Sequence, residues 1–548
     1  MEMMGGTGMD RVKYNKRNET EYVVNATEMK NIDQYSIEKL GIPSLALMER
    51  AAWAVTEEIR NHVSLETLYG KESLILCGMG NNGGDGLAVA RMLHILGGNP
   101  AVYITGEPSQ GSEAWKIQYQ AARNLKIPFH TPEEAEKIIK EDRTGLIVDA
   151  LFGIGLTRGI TGAAAEIIGL ANQSGAYKVA VDIPSGISAD TGQICGIGFQ
   201  ADLTVTFGSL KMGCLLYPGA SCCGKTVTAQ IGFPREAYDF VNPRFFTVDI
   251  RRPDALTPLS GHDMSCLSDR GMEGNFGRLS AYLPLRPANS HKGTFGKLAV
   301  IAGSVNMSGA ACLAAKAAYR MGAGLVRIVT PEENREILQT GVPEAILTTY
   351  GGEHFSLQPV LDAVGWADAV VMGPGMGING CSRPIVSAVL EACGVPMVLD
   401  ADALRIIGGK EELKLKLNNR HVLTPHPGEM AALTGHAIEE ITKDPVTEAR
   451  EFSHIYEANC VLKGARTVVS RRVGRDYINM TGNSGMATAG SGDVLSGMIG
   501  GLMAQGMPPF EAAWTGVLVH GCAGDLAAAG MGGRAVMASD LVDALMQM

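Results

Sequence analysis

Residues 73–106 read SLILCGMGNNGGDGLAVARMLHILGGNPAVYITG. The run opens with SLILCG (73–78), an apolar segment closed by glycine. GLAVARMLHILGG (86–98) follows with apolar residues at helical spacing and a glycine stop, and AVYITG (101–106) is a second apolar run. Strand, helix and strand in that order form a parallel unit, because parallel strands need a long crossover. At the first junction, CGMGNNGGDGLAVAR (77–91) carries the chain from strand through glycine-rich backbone into the helix. Glycine lets the main chain approach a phosphate, and a helix N-terminus adds positive potential. A tight turn without a ligand also uses glycine, but Asn81, Asn82 and Asp85 add polar side chains that a plain dinucleotide turn lacks.

Outward from this unit the alternation continues. GLIVDALFG (145–153), KVAVDIPSG (178–186) and LTVTFGS (203–209) are apolar strands of the buried, parallel kind. EEAEKIIKEDR (133–143) is helical, and the amphipathic leader NATEMKNIDQYSIEKLG (25–41) precedes everything. The fold class expected is α/β, a Rossmann-like parallel sheet with helices on both faces. From about 242 to 290 the pattern breaks, with prolines at 243, 253, 258, 284 and 287. The alternation then restarts with GKLAVIAGS (296–304), AGLVRIVTP (323–331), ADAVVMGPG (367–375), VPMVLDADAL (395–404), HVLTPHPGE (421–429) and NCVLKGARTVVS (459–470). Helices fit ACLAAKAAYRMG (311–322) and the region 492–505. The domains expected are 21–241, a linker over 242–279, and 280–548.

The chain has 548 residues with 46% hydrophobic and 19% charged, enough for two cores and too apolar for wholesale disorder. The formal net charge of -10 argues against coating nucleic acid or an acidic membrane. An anionic ligand must therefore be held locally. Eleven cysteines without a CxxC read as reduced thiols. No signal-type leader and no apolar run of membrane length stand out, so a cytoplasmic protein without membrane or nucleic-acid partners is expected.

Three strand ends of the first half carry polar groups: Asn82 after the first, Asp149 in VDALFGIGLTRG (148–159), and Asp182 and Ser185 in VDIPSG (181–186). Ligands of open parallel sheets bind at the carboxyl ends of strands, and oxygen donors of this kind suit a hard cation. In the second half TAGSGDVLSGMIGG (488–501) opens a helix from a glycine-rich turn, with Asp493 in its first turn. Backbone N–H groups there can hold a phosphoryl group while Asp493 takes a hydroxyl proton. An aspartate that merely complements the helix dipole would look the same. HPGE (426–429) places His426 after a strand, and KGART (463–467) offers a cation and free N–H groups to a nucleotide phosphate. Gly497 and Gly501 form a GxxxG read as close helix packing.

LMERAA (47–52), GNNGGDG (80–86), VDALFGIGLTR (148–158), VDIPSG (181–186) and TFGSLKMG (206–213) resemble the NAD(P)H-hydrate epimerase family. The resemblance implies a potassium ion held by Asn82, Asp149 and Ser185. It implies substrate contacts from Asn81, Asn82, Gly83, Gly84 and Asp85, from Gly153, Ile154, Gly155, Leu156, Thr157, Arg158 and Gly159, and from Asp182. Interconverting the R and S hydrates needs a group that gives and takes a proton; Asp182 is the candidate, with Lys211 as electrostatic helper.

SHKGTFG, GPGMG, TPHPGEM, KGART, GNSGM and AGSGDVLSGMI, across 280–548, are similar to the ADP- or ATP-dependent NAD(P)H-hydrate dehydratases, whose fold is ribokinase-like. This similarity implies that Ala310, Gly375, His426 and Asp493 contact the hydrate. It implies that Lys463, Gly464, Ala465, Arg466, Thr467 and Gly492 contact the adenine nucleotide, with Asp493 catalytic. The fused architecture resembles the ADP users, so ADP with Mg2+ is the expected phosphoryl donor, NADHX and NADPHX the substrates, and a homo-oligomer the expected assembly. Three other readings stand beside this one. The first is a ribokinase-type small-molecule kinase with an appended non-catalytic dinucleotide-binding domain. The second is a binding or scaffold role for the first half. The third is an NAD-dependent oxidoreductase, weakened by the absence of a clean GxGxxG with a downstream ribose-binding acid.

Overall fold

The computed structural model describes residues 21–248, 279–351 and 355–548. Most of the expected linker, 249–278, lies outside the described residues. Its described flanks are ordered elements: Phe245–Thr247 is a strand and Leu279–Tyr282 a short 3-10 turn. The chain divides into two compact units, Glu21–Phe245 and the part from Phe246 onward.

In the first unit seven strands form one sheet: β1 (Glu72–Cys77), β2 (Pro100–Ile104), β3 (Phe129–His130), β4 (Thr144–Ala150), β5 (Tyr177–Val181), β6 (Leu203–Phe207) and β7 (Lys225–Ala229). Their order is β3-β2-β1-β4-β5-β6-β7, and every pairing is parallel. The order reverses between β1 and β4, the place where doubly wound sheets open a ligand crevice. Both faces are covered, which is why the strands read as unbroken apolar runs. In β1, Ile75 and Cys77 pack into one core with Leu47, Leu87 and Trp115, while Leu74 and Leu76 pack into the other with Ile138 and Ile168. A short parallel pair, Glu21–Val24 with Leu210–Lys211, ties the leader helix Ala26–Glu38 to the end of the segment that follows β6.

In the second unit, the strands are β8 (Lys297–Ile301), β9 (Leu325–Pro331), β10 (Ile346–Tyr350), β11 (Ala369–Met372), β12 (Met397–Leu399), β13 (His421–Leu423), β14 (Asn459–Leu462), β15 (Val468–Ser470) and β16 (Asp476–Ile478). They follow the order β10-β9-β8-β11-β12-β13-β14-β15-β16. The first seven in that order are parallel, and β14-β15-β16 is an antiparallel meander. Helices Ser308–Arg320, Ser491–Ala504 and Pro509–Met531 pack into one core with Leu298, Val300, Val371 and Val398. Gly497 and Gly501 make that contact: a Cβ on Gly497 would stand 2.1 Å from the Ala314 carbonyl oxygen, and one on Gly501 2.9 Å from that of Ala318.

Among the described residues no helix is long and apolar enough to cross a membrane. The ten described cysteines are free thiols, seven buried and three half-buried at Cys195, Cys312 and Cys381.

Candidate functional site

In the first unit, the glycine-rich junction differs from its reading as a loop. The helix starts at Asn81, so only Gly78–Gly80 links it to β1 and GNNGGDG forms its first turns. The glycines are there for approach. A Cβ on Gly83 would stand 1.9 Å from the Gly78 carbonyl oxygen, and one on Gly86 2.5 Å from the Ala150 Cβ. The first N–H groups of a helix have no partner within it, and such a helix start suits an anion.

Around this turn the named residues fall into two groups. Asp149, fully buried near the end of β4, accepts hydrogen bonds from Ser185 Oγ (2.6 Å), Ser185 N (2.7 Å) and Leu151 N (3.2 Å). Burial pushes its carboxyl up to about 6 against the pull of the Ser185 bonds. Asn82 lies against the loop after β4, since a Cβ on Gly153 would meet its side chain at 3.3 Å. Asn82 Nδ2 is buried without a hydrogen-bond partner. The two ends of an amide exchange by a flip, so this orphan position can present oxygen to a cation. The orphan amide of Asn82 and the bonded pair Asp149–Ser185 offer oxygen donors of the kind a potassium ion takes. Ile154 to Gly159 continue the irregular loop, with Arg158 exposed. Asn81 is exposed and accepts from Ser112 Oγ at 2.9 Å.

The second group centres on Asp182, one residue beyond β5. Its backbone is left-handed, φ 68°, a conformation that costs a non-glycine residue on the order of 1 kcal/mol or more. That turn aims Oδ1 at three donors: Lys211 Nζ (2.5 Å), Phe207 N (3.0 Å) and Thr206 Oγ1 (3.4 Å). Lys211 is fully buried and also donates to the Phe207 carbonyl at 2.8 Å. Asp85, from the Gly-rich helix, has a carboxyl held well above the ordinary range by burial and by the negative charges of Asp182 and Asp33. Asp33, on the leader helix, is itself raised by burial and by Asp182. Asp182 is thus bonded to a lysine while the Asp85 carboxyl is pushed toward its protonated form, so the two carboxyls sit in opposed environments. Asp33 escaped the sequence reading because the leader looked like a plain amphipathic helix.

In the second unit Asp493 occupies the first turn of helix Ser491–Ala504, which Gly490 enters with φ 88°. Burial first, then the charges of Asp400, Asp402 and Glu429, lift its carboxyl to about 7, with Lys463 pulling the other way. Lys463 Nζ donates to Asp400 Oδ1 at 2.9 Å and lies 3.7 Å from Glu429 Oε2. Burial alone would lower the Lys463 ammonium, but Asp400 and Glu429 carry it above its ordinary value. Gly492 sits beneath it, a Cβ there standing 3.3 Å from Lys463 Nζ. Gly464 to Thr467 form the turn from β14 to β15, where Thr467 Oγ1 bonds the Gly464 carbonyl at 3.2 Å. His426 caps helix Pro427–Thr434, its Nδ1 accepting from Gly428 N (3.0 Å) and Glu429 N (3.3 Å). This fixes the proton on Nε2 and leaves a half-exposed ring able to donate. Ala310 and Gly375 meet, the Ala310 Cβ lying 2.8 Å from where a Gly375 Cβ would stand. Asp402 Oδ2 accepts from Gly377 N (2.8 Å), tying the GPGMG loop to the same corner.

The fold and site define an α/β enzyme with two units: a doubly wound parallel sheet followed by a second, mostly parallel α/β unit whose Gly-rich helix start carries the raised Asp493 carboxyl. Two family models match the chain, one described as YjeF-related protein N-terminus over residues 44–213 and one as NAD(P)H-hydrate dehydratase over residues 298–547. The bifunctional NAD(P)H-hydrate repair enzyme of Moorella thermoacetica is 36% identical, covering 96% of this chain and 96% of that protein. The enzyme of the same name from Escherichia coli K12 is 34% identical, covering 95% and 92%. An ADP/ATP-dependent NAD(P)H-hydrate dehydratase from Bacillus subtilis, co-crystallised with ATP/Mg2+, is 31% identical with a TM-score of 0.42, covering 50% of this chain and 95% of its own. The chain belongs to the bifunctional NAD(P)H-hydrate repair enzyme family.

Proposed function

We propose that this protein restores hydrated NADH and NADPH: the first unit interconverts the R and S hydrates, and the second dehydrates the S form with ADP, giving AMP and phosphate. The observation that supports this best is the near-full-length likeness to repair enzymes across both units.

In the first unit Asp182, bonded to Lys211, accepts and returns a proton while the hydroxyl beside the ring nitrogen leaves and comes back. Asp85, on helix Asn81–Ile95 with its carboxyl held toward the protonated form, is the acid. Asn81 to Asp85 and Gly153 to Gly159 bind the nucleotide part of the hydrate. Asn82, Asp149 and Ser185 would hold the potassium ion, which supplies fixed positive charge beside an anionic substrate.

In the second unit Asp493 takes the proton of the hydrate's hydroxyl as that oxygen forms a bond to the β-phosphorus of ADP. The bond from that phosphorus to the oxygen bridging it to AMP breaks. Phosphate then leaves with its bonding pair, expelled by the ring nitrogen lone pair, and a proton departs from the neighbouring carbon to restore the dihydronicotinamide. Hydroxide leaves poorly near neutral pH and phosphate leaves well. Ala310, Gly375 and His426 position the hydrate; Gly492 and the segment Lys463 to Thr467 position the nucleotide. A magnesium ion would arrive on the nucleotide phosphates, keep several of its waters, and supply positive charge to the transferring phosphoryl group. The assembly expected is a homo-oligomer, read by light scattering.

The test is recovery of the dihydronicotinamide absorbance from a purified R/S mixture of NADH hydrate with Mg2+ and either ADP or ATP. Nucleotide-dependent recovery of the whole mixture supports both halves and names the donor. Recovery that stops when the S form is consumed overturns the epimerase half. A stable phosphorylated product would favour the small-molecule kinase.

A further inference from the structure

Asp400 stands between β12 and helix Ala401–Gly408, 1% exposed. Nothing above gives it a role in the reaction, yet both its carboxylate oxygens are engaged by residues of the transfer site. Oδ1 accepts from Lys463 Nζ at 2.9 Å, and Oδ2 accepts from Ser496 Oγ at 2.5 Å. Ser496 is one turn beyond Gly492, whose carbonyl its hydroxyl also reaches at 3.0 Å. A Cβ on Gly492 would lie 3.9 Å from Asp400 Oδ2 and 3.3 Å from Lys463 Nζ. One buried carboxylate thus clamps the lysine of the KGART turn and the first turns of the helix that carries Asp493. The Asp400 backbone is held as well: its N donates to the Met372 carbonyl at 3.1 Å, and its own carbonyl lies 1.8 Å from where a Gly373 Cβ would stand.

We propose that Asp400 is a positioning residue for phosphoryl transfer, fixing the Lys463 ammonium against the Gly492 turn through its own carboxylate and through Ser496. The ammonium then stands where a transferring phosphoryl gathers charge, while Asp493 faces the hydroxyl. This inference rests on the dehydratase reading. The Asp400 carboxylate also adds to the rise that burial gives the Asp493 carboxyl. The charged groups acting on Asp493 are Asp400 just after β12, Asp402 in the first turn of helix Ala401–Gly408, Glu429 from the helix capped by His426, and Lys463. His520 of helix Pro509–Met531 reaches the same turn through Ser491 Oγ at 3.3 Å and is held near pKa 4 by burial, so it is neutral there. Helices Ser308–Arg320 and Ala538–Ala544 meet Gly490 with Leu313 and Ala538, which do not titrate. Of these charges Asp400 acts most strongly on Asp493, and Lys463 follows with opposite sign.

The experiment measures kcat, KM for ADP and the pH dependence of kcat for the full chain with S-enriched NADH hydrate, ADP and Mg2+. In Asp400→Asn the acid limb is expected to move to lower pH by about half a unit or more, with kcat down at least about tenfold from lost positioning and KM for ADP changed far less. Lys463→Met, which leaves Asp400 without its cation, is expected to move the limb to higher pH. Asp400→Glu is expected to recover part of kcat. Ser496→Ala keeps both charges, so its limb stays in place while kcat falls. A limb that does not move in Asp400→Asn, or that moves the same way in Lys463→Met, overturns the proposal even if kcat drops, because lost stability alone does not shift the limb in opposite directions. Should Asp400→Asn fail to fold, the direction in Lys463→Met decides. A wild-type chain without nucleotide-driven dehydration fails at the earlier reading, a result distinct from any of these.

Discussion

At the scale of single residues, both candidate centres place a carboxyl where water is scarce and then surround it with other carboxyls. In the second unit this has a direct kinetic consequence. Asp493 must be ionised to accept a proton, and burial with Asp400, Asp402 and Glu429 lifts it to about 7. Dehydration should therefore rise with pH through about 7 and level off above, as read from kcat over a pH series. Asp493→Asn should lower nucleotide-driven dehydration by about 10²- to 10⁴-fold, the usual share of a positioned base, with ADP binding by calorimetry little changed. A rate within a few-fold of the wild type would remove Asp493 from the base role.

Secondary-structure elements show why glycine sits where it does. Gly497 lets helix Ser491–Ala504 press against the backbone of helix Ser308–Arg320, 2.1 Å separating a hypothetical Cβ from the Ala314 carbonyl. Gly497→Ala should destabilise the second unit by about 1–3 kcal/mol through overpacking, measured as a lower denaturation midpoint. Gly530→Ala, on helix Pro509–Met531 with nothing within 4 Å of the new Cβ, should instead gain roughly 0.5–1 kcal/mol. The same elements mark what was legible beforehand. Buried parallel strands are written as continuous apolar runs, so SLILC, GLIVDA and KLAVI were plain. The GNNGGDG helix start was not, because glycines selected for close approach look like glycines selected for a turn. Asp400 was hidden for a related reason. VPMVLDADAL reads as a strand or a strand with its turn, which leaves open that the strand stops at Leu399 and a helix begins at Ala401. The pattern that could have exposed it, an apolar run ending in Asp, is the one that did single out Asp149. Asp33, Ser496 and His520 had no local signal, since their meaning comes from distant partners.

Across the whole molecule, each set of candidate residues lies within one compact unit. The net charge of -10 gives no bulk attraction for anionic nucleotides, so capture depends on helix starts and single cations within each unit. Two half-active chains should then complement in trans. One carries Asp182→Asn with Lys211→Met and the other Asp493→Asn. Mixed at equal concentration with pure R hydrate, Mg2+ and ADP, they should recover NADH at a rate set by the slower half. Either alone should show only the spontaneous background or none. Failure of the mixture, with each partner's remaining activity intact, would mean that substrate must pass within one chain.

The ion pair between Asp182 and the fully buried Lys211 binds the chemistry of the first unit to its foldedness. Losing one charge strands the other in a dry interior, at a cost of about 3–5 kcal/mol, while losing both together can be close to neutral. Asp182→Asn should therefore melt earlier than the wild type, and adding Lys211→Met should restore most of the loss without restoring epimerisation. Under selection for folding alone, the two positions would behave as a single heritable character. A library randomised at both sites and sorted only for a folded first unit should return the charged pair or two neutral residues, and rarely one of each.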